Sequence, residues 1–232
     1  MAPSSPLRAF DPTLLLVLNL AGTFVFGLSG GMAGVRARFD LFGTVVLAAV
    51  VGMAGGIIRD LLIGIPPATF RDWRYLAAVG AAGLVTIVAH PTIDRLERPI
   101  AVLDAAGLAL FCVTGAATAL ANHLGVAESV ILGAITGIGG GMLRDILVGE
   151  TPEVLRGGLY AVPALIGAGI VVVSYHAGAR SLVFPIIGAM TCFLVRLAGF
   201  HFGIGLPIST DVRVDSMPRP GRRRDRDRDR DG

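Results

Sequence analysis

The sequence predicts an all-α integral membrane protein: seven transmembrane helices, arranged as two inverted three-helix repeats followed by a seventh helix. Three observations predict it. Asp, Glu, Lys and Arg make up only 16% of the 232 residues and apolar residues 53%. Mean hydropathy is +0.72, whereas a soluble domain carries about 25% charged residues. Seven apolar runs stand along the chain, at 13–34, 41–65, 75–90, 100–121, 126–149, 159–176 and 182–202. Runs of about 18 or more such residues read as membrane spans. A water-soluble helical core is the bland alternative, but soluble helices need a polar face, and these runs mostly lack one. The third observation is a long internal repeat.

The repeat holds one register without a gap. Arg59 and Asp60 recur as Arg144 and Asp145, an offset of 85 positions. At that offset Phe26 matches Phe111, Gly30 matches Gly115 and Gly52 matches Gly137. Gly55 and Gly56 match Gly140 and Gly141; Leu62, Gly64 and Pro67 match Leu147, Gly149 and Pro152; Arg71 and Tyr75 match Arg156 and Tyr160. Chance apolar similarity does not place glycine, proline and charge in one register. Each copy holds three spans, and an odd number of crossings inverts the second copy in the membrane.

The elements follow in order. Residues 1–12 are an N-terminal segment, and 13–97 form the first repeat. Its first run, "TLLLVLNLAGTFVFGLSGGMAG", follows Arg8 and resembles a signal peptide. Its partner, "PIAVLDAAGLALFCVTGAATAL", lies mid-chain, so the first run is expected to be retained as a span. The second run carries "GMAGGIIRD". Trp73 and Tyr75 open the third and suit an interfacial aromatic belt. Residues 98–180 form the second, inverted repeat, whose fifth run carries "GIGGGMLRD". The seventh run, within 181–205, has no partner and contains Arg196, which either snorkels or lines an interface. Residues 206–232 end in "GRRRDRDRDRDG", whose alternating charges largely cancel and read as a disordered, solvated tail. Loop arginines favour a cytoplasmic C-terminus and an outside N-terminus by the positive-inside rule.

Composition narrows the function. The pI of 9.4 comes from the tail and loop arginines, not from a basic folded face, so nucleic acid is not an expected partner. Cys112 and Cys192 fall within spans, where packing is their ordinary role. No CxxC, metal-ligand spacing, nucleotide loop or nucleophile–base set stands in the chain. The sequence therefore calls for no metal, no cofactor and no enzyme activity.

The polar residues inside the spans carry what chemistry there is. Glycine costs about 1 kcal/mol against alanine within a helix, yet Gly55 and Gly56 stand in one run and Gly139, Gly140 and Gly141 in another. Close helix packing is one reading; a break that frees backbone carbonyls toward a cavity is the other, and the duplication favours it. A charge at mid-membrane costs about 2.5–3.5 kcal/mol on insertion scales, so Arg59, Asp60, Arg144 and Asp145 need partners. Helix neighbours do not face each other. Two readings stay open: Arg59 meets Asp145 and Arg144 meets Asp60 across the repeats, or each arginine snorkels to an interface. Asp104 and its equivalent, Asn19, are candidates to coordinate a cation or to tie helices. Ser29 and Thr114 correspond as well and add weaker polar candidates for the same path.

The two "GG-x-x-RD-x-L-x-G-x-x-P" stretches, the three-plus-three-plus-one plan and the length resemble prokaryotic members of the trimeric intracellular cation channel family, also catalogued as a glycine-transporter-like membrane domain. The resemblance covers roughly residues 13–205. It implies a homotrimer in the cell membrane with a pore in each protomer, lined mainly by the second and fifth helices bending at their glycines. It implies permeation by potassium or another monovalent cation. Gly55 and Gly56 match one hinge, and Gly139, Gly140 and Gly141 the other. Animal members carry a basic lipid-binding motif. This chain has no lysine, so lipid regulation is not carried over, and lipid is expected only as the surrounding membrane. The alternative function is secondary transport of a small zwitterion such as glycine.

Overall fold

Residues 12–89, 97–156, 159–179, 181 and 183–203 are described by the structure, a computed structural model. They form seven α-helices: α1 (Pro12–Arg36), α2 (Leu41–Ile63), α3 (Trp73–Ala89), α4 (Glu97–Ala121), α5 (Val126–Leu147), α6 (Ala161–His176) and α7 (Val183–Phe202). Short 3-10 turns, Ala68–Phe70 and Glu153–Leu155, follow α2 and α5. No strand occurs among the described residues. Five helices, α1, α2, α4, α5 and α7, are long and apolar enough to cross a membrane; α3 and α6 are apolar but shorter. The Arg/Asp-rich tail lies outside the described residues, as do positions 1–11 of the N-terminal segment.

Local chemistry sets the ends of the two motif helices. Asp40 caps α2, its carboxylate accepting from the Gly43 amide at 2.6 Å, which satisfies one of the free amides of a first helical turn. Gly64 ends α2 in the left-handed region at φ 77, and its repeat equivalent Gly149 follows α5 at φ 78. Glycine alone takes that conformation without a Cβ penalty. The glycine of "RD-x-L-x-G-x-x-P" is therefore a helix stop, and the proline after it opens the 3-10 turn.

The two repeats pack about a pseudo-twofold relation that the contacts make explicit. Phe26 of α1 and Phe111 of α4, equivalent residues, meet with ring centroids 5.3 Å apart. A Cβ added at Gly22 would strike Phe111, and one at Gly107 would strike Phe26. Within each repeat the same close approach recurs: Gly52 lies under the Thr23 carbonyl and Gly137 under the Leu108 carbonyl, at 2.6 and 2.9 Å from the added Cβ. These exchanges are what an inverted duplication requires, and small residues allow such backbone proximity in membrane helices.

α2 and α5 cross at the glycines. A Cβ at Gly55 would fall on the Thr136 carbonyl oxygen; one at Gly140 would stand 2.8 Å from the carbonyl of Val51, the equivalent of Thr136. The expected breaks are absent: helix runs unbroken from Leu41 to Ile63 and from Val126 to Leu147. Glycine keeps its amide and carbonyl, so the ladder persists, and the approach of two backbones offsets its poor propensity. Close packing is thus the structural role of Gly55, Gly139 and Gly140, while Gly56 has open space beside it.

α7 docks on α4 and α6 of the second repeat. Gly167 and Gly188 each approach the other's carbonyl, at 2.8 and 2.7 Å from an added Cβ. One expectation for the third helix divides: Trp73 is exposed and suits the interface, but Tyr75 is buried.

Candidate functional site

The C-terminal parts of α2 and α5 each bring an arginine and an aspartate into the protein interior. Arg59 and Arg144 are 4% and 6% exposed, so neither snorkels. Arg59 donates from Nε to Oδ1 of its neighbour Asp60 at 2.8 Å. Arg144 donates from Nε and Nη2 to Oδ1 of Asp145 at 3.0 and 2.8 Å. The expected cross-repeat pairs Arg59–Asp145 and Arg144–Asp60 are thereby overturned. The rule against neighbour contacts concerns side chains leaving a regular helix surface. Arginine carries its guanidinium on a long stem, and at a helix end that stem can fold back onto the next residue.

Each aspartate has a second task. Oδ2 of Asp60 accepts from the Ala68 amide at 2.8 Å, and Oδ2 of Asp145 from the Glu153 amide at 2.9 Å, both eight residues on. One carboxylate thus neutralises the arginine and holds the 3-10 turn that follows the proline. The motif is a self-contained device: arginine, aspartate, left-handed glycine, proline, turn.

The rest of the guanidinium reaches back to the first helix of its own repeat. Arg59 donates from Nη1 to Oδ1 of Asn19 at 3.0 Å, and Arg144 from Nη1 to Oδ1 of Asp104 at 2.7 Å, each across 40 positions. The equivalence of Asn19 and Asp104 is therefore a shared position opposite the arginine. Arg144 also donates to Ser29 Oγ of the first repeat at 2.8 Å. Thr114, the equivalent of Ser29, does not join the network; its hydroxyl donates to the Phe111 carbonyl of its own helix at 3.5 Å.

The second-repeat cluster is the larger. Tyr160 donates its hydroxyl to Asp104 Oδ1 at 3.0 Å. A Cβ at Gly141 would collide with that hydroxyl, so this glycine makes room for the tyrosine. Arg196 of α7 bonds through Nη2 to Glu153, donates to the Leu159 carbonyl at 3.4 Å and stacks 4.5 Å above the Tyr160 ring. Its Nη2 lies 3.9 Å from Asp104 Oδ2, and that oxygen accepts no hydrogen bond. Sequence reasoning left Arg196 undecided and missed Glu153 and Tyr160. The Tyr75–Tyr160 match was the available signal for the tyrosine; Glu153 had none, because Ala68 is its equivalent.

A cavity of about 540 Å³ opens above this cluster. Ile100, Arg144, Asp145 and Glu153 line it, together with Arg36, Glu97, Glu150 and Arg156. Arg36 pairs with Glu97 at 3.0 Å and lies 3.9 Å from Glu150, joining the end of α1 to the start of α4 and to the segment after α5. These exposed pairs hold little energy. The buried ones matter more, since an unpaired charge in this setting costs several kcal/mol. The arrangement offers cations and anions a charged pocket inside an apolar bundle. No group of His, Cys, Asp and Glu among the described residues is placed to hold a metal ion.

Comparison with known proteins gives concordant results. Residues 16–91 and 101–176 each match the family model described as glycine transporter. A UPF0126 membrane protein of Streptomyces coelicolor is 47% identical over 205 residues, 88% of this chain and 94% of that protein. The inner membrane protein YadS of Escherichia coli is 34% identical over 84% of this chain and 95% of its own length. Among solved structures, a trimeric intracellular cation channel orthologue from Rhodobacter sphaeroides superposes with TM-score 0.78 at 36% identity, covering 83% of this chain and 100% of that one. A prokaryotic channel of the same type, solved in 0.5 M KCl, superposes with TM-score 0.77 at 32% identity over 84% and 100%.

Proposed function

We infer that this chain, which belongs to the glycine transporter family of membrane proteins, forms a channel for monovalent cations, with a path through each protomer of a homotrimer. The observation that carries the reading is the likeness along the whole of a solved chain described as a trimeric intracellular cation channel. Potassium is the ion we propose. The path runs along α2 and α5 and past their buried arginine–aspartate clusters, with Asn19, Ser29 and Asp104 as polar neighbours. Because both helices are continuous, side chains rather than freed carbonyls meet the ion. Gly55, Gly139 and Gly140 provide the smooth surface on which α2 and α5 shift against each other.

We place the protein in the cell membrane with its C-terminus in the cytoplasm and its N-terminus outside, which puts the cavity mouth on the cytoplasmic side. The stretches matched by the family model fall within the repeat units 13–97 and 98–180. A second reading, transport of a small zwitterion, is favoured by the family's description and by a cavity that presents both guanidinium and carboxylate groups. Flux from liposomes holding purified protein separates the two. Potassium flux driven by its own gradient, with no glycine uptake, is the expected result; glycine uptake without potassium conductance reverses the reading.

A further inference from the structure

The two arginine clusters occupy equivalent places but differ in charge, and three residues make the difference. In the first repeat Arg59 meets Asp60 and the neutral Asn19, and the turn behind it begins with Ala68. In the second, Asp104 replaces the asparagine and Glu153 replaces the alanine. Arg196 then enters from α7, the helix with no repeat partner, and lies against both new carboxylates. The first cluster is neutral, one guanidinium against one carboxylate. The second sets two guanidiniums, Arg144 and Arg196, against three carboxylates, Asp104, Asp145 and Glu153.

The surplus negative charge lies beside the cavity. Asp104 and Arg196 are 0% and 2% exposed, behind Arg144, Asp145 and Glu153, which line the 540 Å³ cavity. Buried charges are screened little by salt, and their field is focused into a cleft with low-dielectric walls. Asp104 pairs with Arg144 through Oδ1 at 2.7 Å, while its Oδ2 accepts no hydrogen bond and has Arg196 Nη2 at 3.9 Å.

We propose that Asp104, Glu153 and Arg196 are the specificity-determining residues of the channel: the two carboxylates make the second-repeat half select cations over anions, and Arg196 limits that selectivity. The proposal rests on the channel reading above. It assigns selectivity to one half of a pseudo-symmetric path and to residues that depart from the symmetry, rather than to the duplicated Arg-Asp motif.

The repeat itself supplies the controls. Asp104→Asn and Glu153→Ala install the residues that the first repeat already uses, and Asn retains an oxygen to accept from Arg144. The measurement is the zero-current potential of purified protein in planar bilayers under a potassium chloride gradient, with thermal stability recorded for each variant. Asp104→Asn and Glu153→Ala should each lower the potassium-to-chloride permeability ratio, by about threefold or more. Arg196→Gln should raise it. The double variant Asp104→Asn/Arg196→Gln, with the original net charge restored, should return close to the wild-type ratio. A merely structural role would alter stability and leave the ratio alone. Wild-type current with ratios unchanged in Asp104→Asn and Glu153→Ala overturns this proposal while the channel reading stands. Wild-type protein that carries no cation current removes the channel reading and this inference with it.

Discussion

Gly55 of α2 and Gly139 of α5 touch backbone to backbone: a Cβ added to Gly139 would stand 3.3 Å from the Cα of Gly55. The glycine pairs are therefore not equivalent in what they tolerate. A methyl group on Gly55 meets the Thr136 carbonyl, which belongs to a helix backbone and cannot turn aside. The Gly56 position meets nothing within 4 Å.

The first prediction uses that contrast between neighbours. Gly55→Ala should destabilise the protein by about 1–3 kcal/mol, the usual range for overpacking. Gly56→Ala should be neutral or stabilising by up to about 1 kcal/mol, the gain in helix propensity. Thermal unfolding of both variants in detergent decides the matter. Equal behaviour would mean that the glycines are not sorted by contact.

A second prediction concerns pairing. Arg59 shares hydrogen bonds with Asp60 and Asn19 and none with Asp145. Losing one member of a buried pair costs about 3–5 kcal/mol. In double-mutant cycles on stability, Arg59→Ala with Asp60→Ala should be non-additive by more than about 1 kcal/mol. Arg59→Ala with Asp145→Ala should add to within about 0.5 kcal/mol. Strong coupling in the second cycle would restore the cross-repeat pairing that the geometry rejects.

Much of this arrangement was legible in the sequence, and the misses have a common cause. Hydropathy and the 85-position register yield spans, repeat and inversion, because these depend on which residues occur where. They do not yield the direction of a long side chain. Arg59 and Asp60 are adjacent, and helix geometry argued against their contact, yet the end of α2 leaves the guanidinium free to fold back. The aspartate's second bond was closer to legible. A left-handed glycine and a proline follow at fixed spacing, and a carboxylate before such a stop is suited to hold the turn's first amide. Arg196 was out of reach, since a residue outside the duplication has no equivalent from which to infer its partners. The unbroken helices show the limit of composition: paired glycines suit both a break and a crossing, and only the facing carbonyls of Thr136 and Val51 choose.

A third prediction isolates the turn. Pro67 and Pro152 precede the two 3-10 turns, whose first amides are held by Asp60 and Asp145. Asp60→Asn keeps an oxygen for one partner and loses the charge that neutralises Arg59. It should lower stability by about 1–3 kcal/mol, the cost of a compromised buried hydrogen bond to a charged group. Amide exchange should quicken at Ala68 and leave Glu153 unchanged. Equal protection of Ala68 in Asp60→Ala, which leaves that amide no side-chain acceptor, would remove the aspartate from the turn.

The last prediction tests inversion itself. Arg71 and Arg156 are repeat equivalents, each closing the 3-10 turn of its repeat, and both are exposed. Cys112 and Cys192 are buried, so a membrane-impermeant thiol reagent should leave the native cysteines largely unlabelled in intact cells. Single variants Arg71→Cys and Arg156→Cys then report their own side of the membrane. Three spans separate the two positions, and an odd number of crossings must put them on opposite faces. Arg71→Cys should react from outside in intact cells, and Arg156→Cys only after the cytoplasmic face is opened, given the arginine bias that orients the chain. Reversed labelling would invert the orientation and leave the repeat relation standing. Labelling of both from one face would contradict the three-span repeat, and with it the pairing of Gly55 with Gly140 and of Arg59 with Arg144 as images of each other.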